Sequence, residues 1–306
     1  MAEKYQGPGL CPAVALRRLG RWLLALAALL PRTAVAQDAR PGLPPNSAAQ
    51  STSPQAENTG DDFARPLSLF QVFYEHKTAP GSGSEPGTTS QVTTDTLKLR
   101  ADRRIDLAPQ WALAVRADLP FLAKNPVSSS NPDGNYLYGV GDADFQAALL
   151  HEFDTRWAAG FGARLTAPTG GDMIGSGKWQ IMPGVAVRYA LFEFNSNSYI
   201  EPLLRYNVSF AGDPSKKNIS NLQFAPTLHL SLPDHWFVTF YPSADIRVNY
   251  GDPVTGQTGR LFLPFDVRIG RKLAKDLVLS LEVGMPIIKD YPVYDFKTEV
   301  RLNMLF

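Results

Sequence analysis

Four histidines, His76, His151, His229 and His235, are the side chains of this 306-residue sequence best suited to proton transfer near neutral pH. Beside a serine and a carboxylate, such a residue activates a nucleophile for acyl transfer, the chemistry of an enzyme that hydrolyses or remodels lipid. The spacing assembles no such set. His76 falls in a loop segment, His151 at the end of an alternating segment, His229 among the polar residues Gln223 and Thr227, and His235 in a short turn. No paired-ligand spacing for a metal occurs, and no cofactor is implied. Gly139-Val140-Gly141-Asp142 looks like the start of a phosphate-binding loop, but no helical period follows to supply an N-terminus for the anion. The glycines read instead as a bulge where backbones approach closely.

A larger set is charged. Arg100, Asp142, Asp144, Arg164, Arg188, Glu201, Arg205, Asp245, Arg247, Asp266, Arg268, Glu282, Glu299 and Arg301 all fall on the polar side of alternating segments, as does Lys98. Arginines facing carboxylates across neighbouring strands form either a structural ladder or a charged pore that orders a small polar or aromatic acid.

The elements that must position these residues follow a period of two. Near the end of the chain, Tyr294, Phe296, Thr298, Val300, Leu302, Met304 and Phe306 share one parity, and Asp295, Lys297, Glu299, Arg301 and Asn303 fill the other. That is a strand with one apolar and one wet face. About twelve such segments follow one another, near 67–75, 92–106, 110–119, 138–151, 155–167, 177–191, 198–210, 219–232, 235–250, 259–272, 276–285 and 293–306. Long connections (His76 to Gln91, Pro120 to Leu137, Pro168 to Ser176) alternate with tight ones such as Leu107 to Pro109 and Leu232-Pro233-Asp234. A soluble sandwich has no reason to lengthen every second connection, whereas an outer-membrane barrel has long loops outside and short periplasmic turns. The expected fold is therefore all-β, a transmembrane antiparallel up-and-down barrel of about twelve strands over residues 63–306, with both termini on the periplasmic side.

Composition fits once both faces are counted. A content of 44% hydrophobic residues is ordinary for a soluble protein, but a barrel averages a lipid face with a water face. Residues 1–36 carry basic residues, the nine-residue apolar run Trp22–Leu30 and Ala34-Val35-Ala36. This is the pattern of a secretory signal peptide cleaved between Ala36 and Gln37. Its loss would take the formal charge from +1 to −3 and remove Cys11, the only cysteine. With no basic block, nucleic acid is not an expected partner. Residues 37–62, rich in Pro, Ser, Ala, Gln and Asn, read as a disordered spacer. A final aromatic, Phe306, resembles the barrel-assembly signal of Gram-negative outer-membrane proteins.

Gly139-Val140-Gly141-Asp142-Ala143-Asp144, then Ala163-Arg164-Leu165-Thr166-Ala167-Pro168-Thr169-Gly170, then Gly175-Ser176-Gly177-Lys178-Trp179 and Pro183-Gly184 resemble a G-x-G-D, P-T-G, G-S-G pattern. That pattern is the mark of the MetA-pathway of phenol degradation family. The resemblance implies an outer-membrane β-barrel transporter, many of whose relatives are encoded beside aromatic-degradation functions. The expected activity is passive passage of small, aromatic or hydrophobic molecules, with no catalysis. The expected partners are outer-membrane lipid, the assembly machinery reading the C-terminal strand, and a small-molecule solute. Two alternatives stand beside it: a structural or surface-interaction barrel without transport, and a lipid-modifying enzyme. For the loop that ends at Gly175-Ser176-Gly177, a plain surface loop is expected over an inward-folded constriction.

Overall fold

The computed structural model describes residues 59–82 and 89–306. The expected leader, with its Ala36–Gln37 boundary, and most of the expected spacer lie outside these residues. Alternation and β-branched or aromatic residues give fourteen strand segments. These are β1 (Leu69–Ser82), β2 (Thr89–Ala108), β3 (Trp111–Lys124), β4 (Leu137–Val140), β5 (Ala143–Glu152), β6 (Trp157–Ala167) and β7 (Lys178–Ala190). They continue with β8 (Tyr199–Gly212), β9 (Ser220–Ser231), β10 (Trp236–Phe240), β11 (Ile246–Asn249), β12 (Leu261–Ala274), β13 (Leu277–Lys289) and β14 (Phe296–Leu305). Since β4 and β5 pair with the same strand, and β10 and β11 with the same two, the segments amount to twelve crossings. All pairings are antiparallel, and β1 pairs with both β2 and β14, closing the ring. Closure leaves no open edge, as hydrocarbon demands of any sheet that spans it. Among the described residues the only helical element is the 3-10 turn Pro233–His235.

The two faces differ as the alternation requires. On β12, Leu261, Leu263, Phe265, Val267 and Ile269 point outward while Asp266 and Arg268 are buried inside. Phe161, Phe145 and Ile287 are 60%, 52% and 63% exposed on the outer surface, a density of bare apolar groups that only lipid would cover. The short turns at 109–110, 153–156, 232–235 and 275–276 share one end with the start of β1 and the end of β14. Trp111 packs tilted on His151 and Phe153 meets that ring edge-on, centroids 4.3 and 4.5 Å apart, and Trp157 packs on Tyr189, forming part of an interfacial aromatic belt.

Several expected boundaries shift. The loop expected over His76 to Gln91 is largely strand, for β1 continues to Ser82 and β2 begins at Thr89, so His76 lies in a strand. Likewise β3 runs to Lys124 and β13 to Lys289. Fourteen residues at ~3.3 Å each exceed the ~30 Å hydrocarbon core, and the strand end Lys77–Pro80 is half-buried throughout, so it carries no alternation to read. Tyr294 precedes β14 instead of continuing its outer face; its ring turns inward and its hydroxyl donates to Asp266 Oδ1 at 2.5 Å. The segment expected at 235–250 is broken after Phe240, where Tyr241 takes φ 51°.

Candidate functional site

The inner face is built from charge. On neighbouring strands β12 to β14, Arg268 Nη2 lies 2.5 Å from Glu282 and 3.5 Å from Glu299, and Arg301 donates to Glu299. Lys297 Nζ sits 2.5 Å from Asp245, 2.6 Å from Glu282 and 3.7 Å from Asp266. Arg247 Nη2 reaches Asp245 at 2.8 Å. Asp245, Asp266 and Glu282 converge as a trio that could ligate a metal, but the Lys297 ammonium touches all three and fills the place a cation would take.

Strands β2 and β3 supply a second ladder. Arg100 grips Asp118 through two bonds of 2.7 Å, and Arg116 grips Asp102 at 2.6 and 2.8 Å. Both are bidentate forks, the geometry that suits guanidinium to carboxylate. Phe73, inward on β1, lies beneath Lys98, Arg100 and Arg301 at 4.7, 5.5 and 5.3 Å from its ring centre. This is why apolar residues occupy both parities of the first strand.

Residues 59–68 form a strap across the end of the lumen where β1 begins and β14 ends. Asn303 donates to Thr59 O at 2.7 Å, Asp61 sits 2.9 Å from Arg268 and 3.1 Å from Arg301, and Asp62 lies 2.5 Å from Arg188. The Glu201 carboxylate, fully buried, accepts the backbone N–H groups of Phe63 at 3.0 Å and Ala64 at 2.7 Å. Arg65 then reaches Glu152 at 3.2 Å beside the 153–156 turn. Residues 59–62, expected as part of the spacer, thus lie inside the barrel. Alternation gives no hint of this, since what holds them is charge pairing across the lumen and not apolar burial.

The glycine-rich motifs form a clasp at the other end. Asp142, in the break between β4 and β5, accepts Gly170 N at 3.0 Å, Ser176 N at 2.7 Å and Ser176 Oγ at 2.6 Å. Thr169 Oγ1 donates to Gly141 O and accepts from Ala143 N, both at 2.9 Å. A Cβ on Gly175 would stand 2.4 Å from the Asp142 carboxylate, so only glycine fits there. Asp142 therefore holds the 168–177 loop, where it was expected to line the lumen with its neighbours. That loop is tied to its neighbours: Ile174 packs on Gly139, its carbonyl accepts from Lys124 Nζ at 3.4 Å, and Asp172 at its tip is exposed.

Between the strap and strands β5–β8 a small cavity of about 60 Å³ remains, bounded by Phe63, Met182, Leu203, Gln146, Arg164 and Arg205. Arg164 is 3.9 Å from Asp144, which instead accepts a 2.5 Å bond from Thr166. Arg205 makes one hydrogen bond, to Gln223 at 2.9 Å. The Nε atoms of both arginines are buried without a partner.

Among the described residues neither His76 nor His229 is hydrogen-bonded to a serine. His229 is stacked between Tyr199 and Phe237, and its Nδ1 is 2.9 Å from Thr239 Oγ1. His76 Nδ1 meets Asp95 at 2.8 Å, and that carboxylate also takes the Tyr74 hydroxyl at 2.7 Å. The residues missing from the expected lumen charges are Asp61, Asp62, Arg116, Asp118 and Lys297. The last three sit on the wet parity of their strands and were legible there.

A closed barrel with an apolar outer belt, a charged interior and a strap across one mouth defines an outer-membrane β-barrel. The chain belongs to the MetA-pathway of phenol degradation family, whose profile matches residues 75–241. Among solved structures it is similar to the COG4313 outer membrane channel from Pseudomonas putida F1, at 18% identity and TM-score 0.61, covering 81% of this chain and 99% of that one. It also resembles the KdgM porin, at 12% identity, TM-score 0.42 and coverage of 77% and 99%. The translocator domain of the autotransporter NalP from Neisseria meningitidis matches at 11% identity and TM-score 0.45, covering 96% and 97%. No curated protein sequence matches this chain.

Proposed function

We propose that this chain is a channel or facilitator for passive passage of small molecules across the outer membrane, with no catalytic role. The observation that carries the reading is the polar, charged lumen of a closed barrel of twelve crossings, which keeps a small cavity of about 60 Å³ beside its strap. Side chains alone would fill an eight-stranded barrel, whereas twelve crossings leave space that ladders and strap take up only in part. The relative from Pseudomonas putida F1 is itself described as an outer membrane channel, and the family description points to aromatic compounds as solutes. Export through a leader cleaved after Ala36, and assembly through the strand that ends at Phe306, belong to the same reading.

One observation favours the alternative of a structural barrel: the strap bars the periplasmic mouth with ion pairs on three sides. Solute uptake into vesicles separates the two. Vesicles bearing the purified protein are expected to take up small solutes faster than protein-free vesicles. Equal rates would overturn the channel reading.

A further inference from the structure

Few charged side chains share the outward parity of the strands, and two of them, Arg103 on β2 and Arg271 on β12, lie toward the end where β1 begins and β14 ends. Both are exposed, and each is flanked two residues away on either side by apolar groups, Ile269 and Leu273 for Arg271, Ala101 and Ile105 for Arg103. Each also stands against an aromatic ring. Arg271 lies 5.4 Å from the centre of Trp236, its partner across the β10–β12 register, and Arg103 lies 6.0 Å from that of Phe306. Trp236 and Phe306 are themselves 41% and 70% exposed, so the stacked pairs sit on the outer surface.

Neither guanidinium meets a carboxylate among the described residues. Arg271 Nε donates to the Asp234 carbonyl at 3.1 Å, a neutral partner that leaves its charge unmatched. Arg156, at the same end and stacked on Tyr189 and Phe192 at 5.3 and 5.1 Å, is the contrast, for Glu193 lies 2.7 Å away and neutralises it. An arginine on a lipid-facing wall is costly in hydrocarbon, and is tolerated where its stem stays in apolar surroundings while its head reaches the phosphate layer. A guanidinium also matches phosphate oxygens with paired N–H donors.

We propose that Arg103 and Arg271 each hold the phosphate of an anionic glycerophospholipid whose acyl chains lie along the apolar belt. The short turns of this end are those that such a barrel directs to the periplasm, the side of the outer membrane whose leaflet is phospholipid. The unmatched charge supplies the preference for an anionic headgroup, and the belt supplies the surface for the chains. The site requires a barrel in the membrane and does not depend on passage of a solute through the lumen.

Native mass spectrometry of the detergent-solubilised protein, offered equal amounts of a phosphatidylglycerol and a phosphatidylcholine of the same chain length, tests it. Phosphatidylglycerol adducts are expected to outnumber phosphatidylcholine adducts about fivefold, the gain from one basic residue near a lipid surface. With Arg103→Gln and Arg271→Gln together the two lipids should bind equally, whereas Arg156→Gln should keep the preference. Excess inorganic phosphate should leave the adducts in place, since it has no chains to rest on the belt. Equal binding of the two lipids to the unaltered protein would overturn the proposal, as would a preference that survives the double substitution or is lost equally in R156Q. Displacement by inorganic phosphate would assign the site to a free anion and overturn the lipid. If the double variant does not fold, the two lipids compared on the unaltered protein and on R156Q decide.

Discussion

Asp62 Oδ2 lies 2.5 Å from Arg188 Nε, both side chains are nearly fully buried, and 126 residues of sequence separate them. The contact joins a segment without regular structure to the wall of the barrel, and it is repeated by Asp61 on Arg268 and by Glu201 on two strap amides. Charge therefore seats the strap. Removing one partner of a buried pair leaves the other uncompensated, at a cost of about 3–5 kcal/mol.

Release of the strap is measurable by thiol labelling. With Cys11 replaced by serine, Ala64→Cys gives a single probe at a position now fully buried. Asp62→Asn in that background should raise the maleimide labelling rate about tenfold or more. An unchanged rate would mean that the ion pair does not hold the strap.

Arg268 faces Asp61, Glu282 and Glu299 at once. Arg268→Met removes the guanidinium shared by three buried carboxylates, leaving Glu282 to Lys297 and Asp61 and Glu299 to Arg301, and should lower unfolding stability in urea by about 3–5 kcal/mol. The exposed pair Lys289–Asp295 is the contrast, since Lys289→Met should cost no more than about 1 kcal/mol. Comparable losses in the two variants would contradict the buried network.

The clasp makes a local prediction. Asp142→Ala removes the acceptor for Gly170 N, Ser176 N and Ser176 Oγ, and should expose the 168–177 loop to proteases while the barrel stays folded. The expected loss of stability is about 1–3 kcal/mol. A loop as resistant as before would show that Asp142 is not what fastens it.

Two glycines a few residues apart should behave differently. A methyl at Gly162 would meet the Ala147 carbonyl at 2.2 Å, whereas one at Gly171 meets nothing within 4 Å. Gly162→Ala should destabilise by about 1–3 kcal/mol and Gly171→Ala by less than about 0.5 kcal/mol. Equal effects on the urea midpoint would argue against close approach of β5 and β6.

Strand count, direction, wet parity and the rhythm of long and short connections were legible because lipid outside and water inside impose opposite chemistries on alternate residues. Leu302 and Arg301 show this directly, one on each face. The rule fails wherever the two faces do not differ. The half-buried strand end Lys77–Pro80 shows no alternation in burial, and the strap at Asp61–Asp62 is held by charge, so neither carries a period. Tyr294 was misplaced because its loop turns it inward just before the strand begins. The glycine motifs could be seen in sequence, but their purpose depends on Asp142 meeting a loop 28–34 residues further on.

Single-channel conductance in planar bilayers tests the central claim most directly. The purified barrel should pass a small, stable current through the space beside the strap, and Asp61→Asn with Asp62→Asn should enlarge it by unseating residues 59–64. A barrel that inserts yet passes no current, with or without these substitutions, would contradict the account.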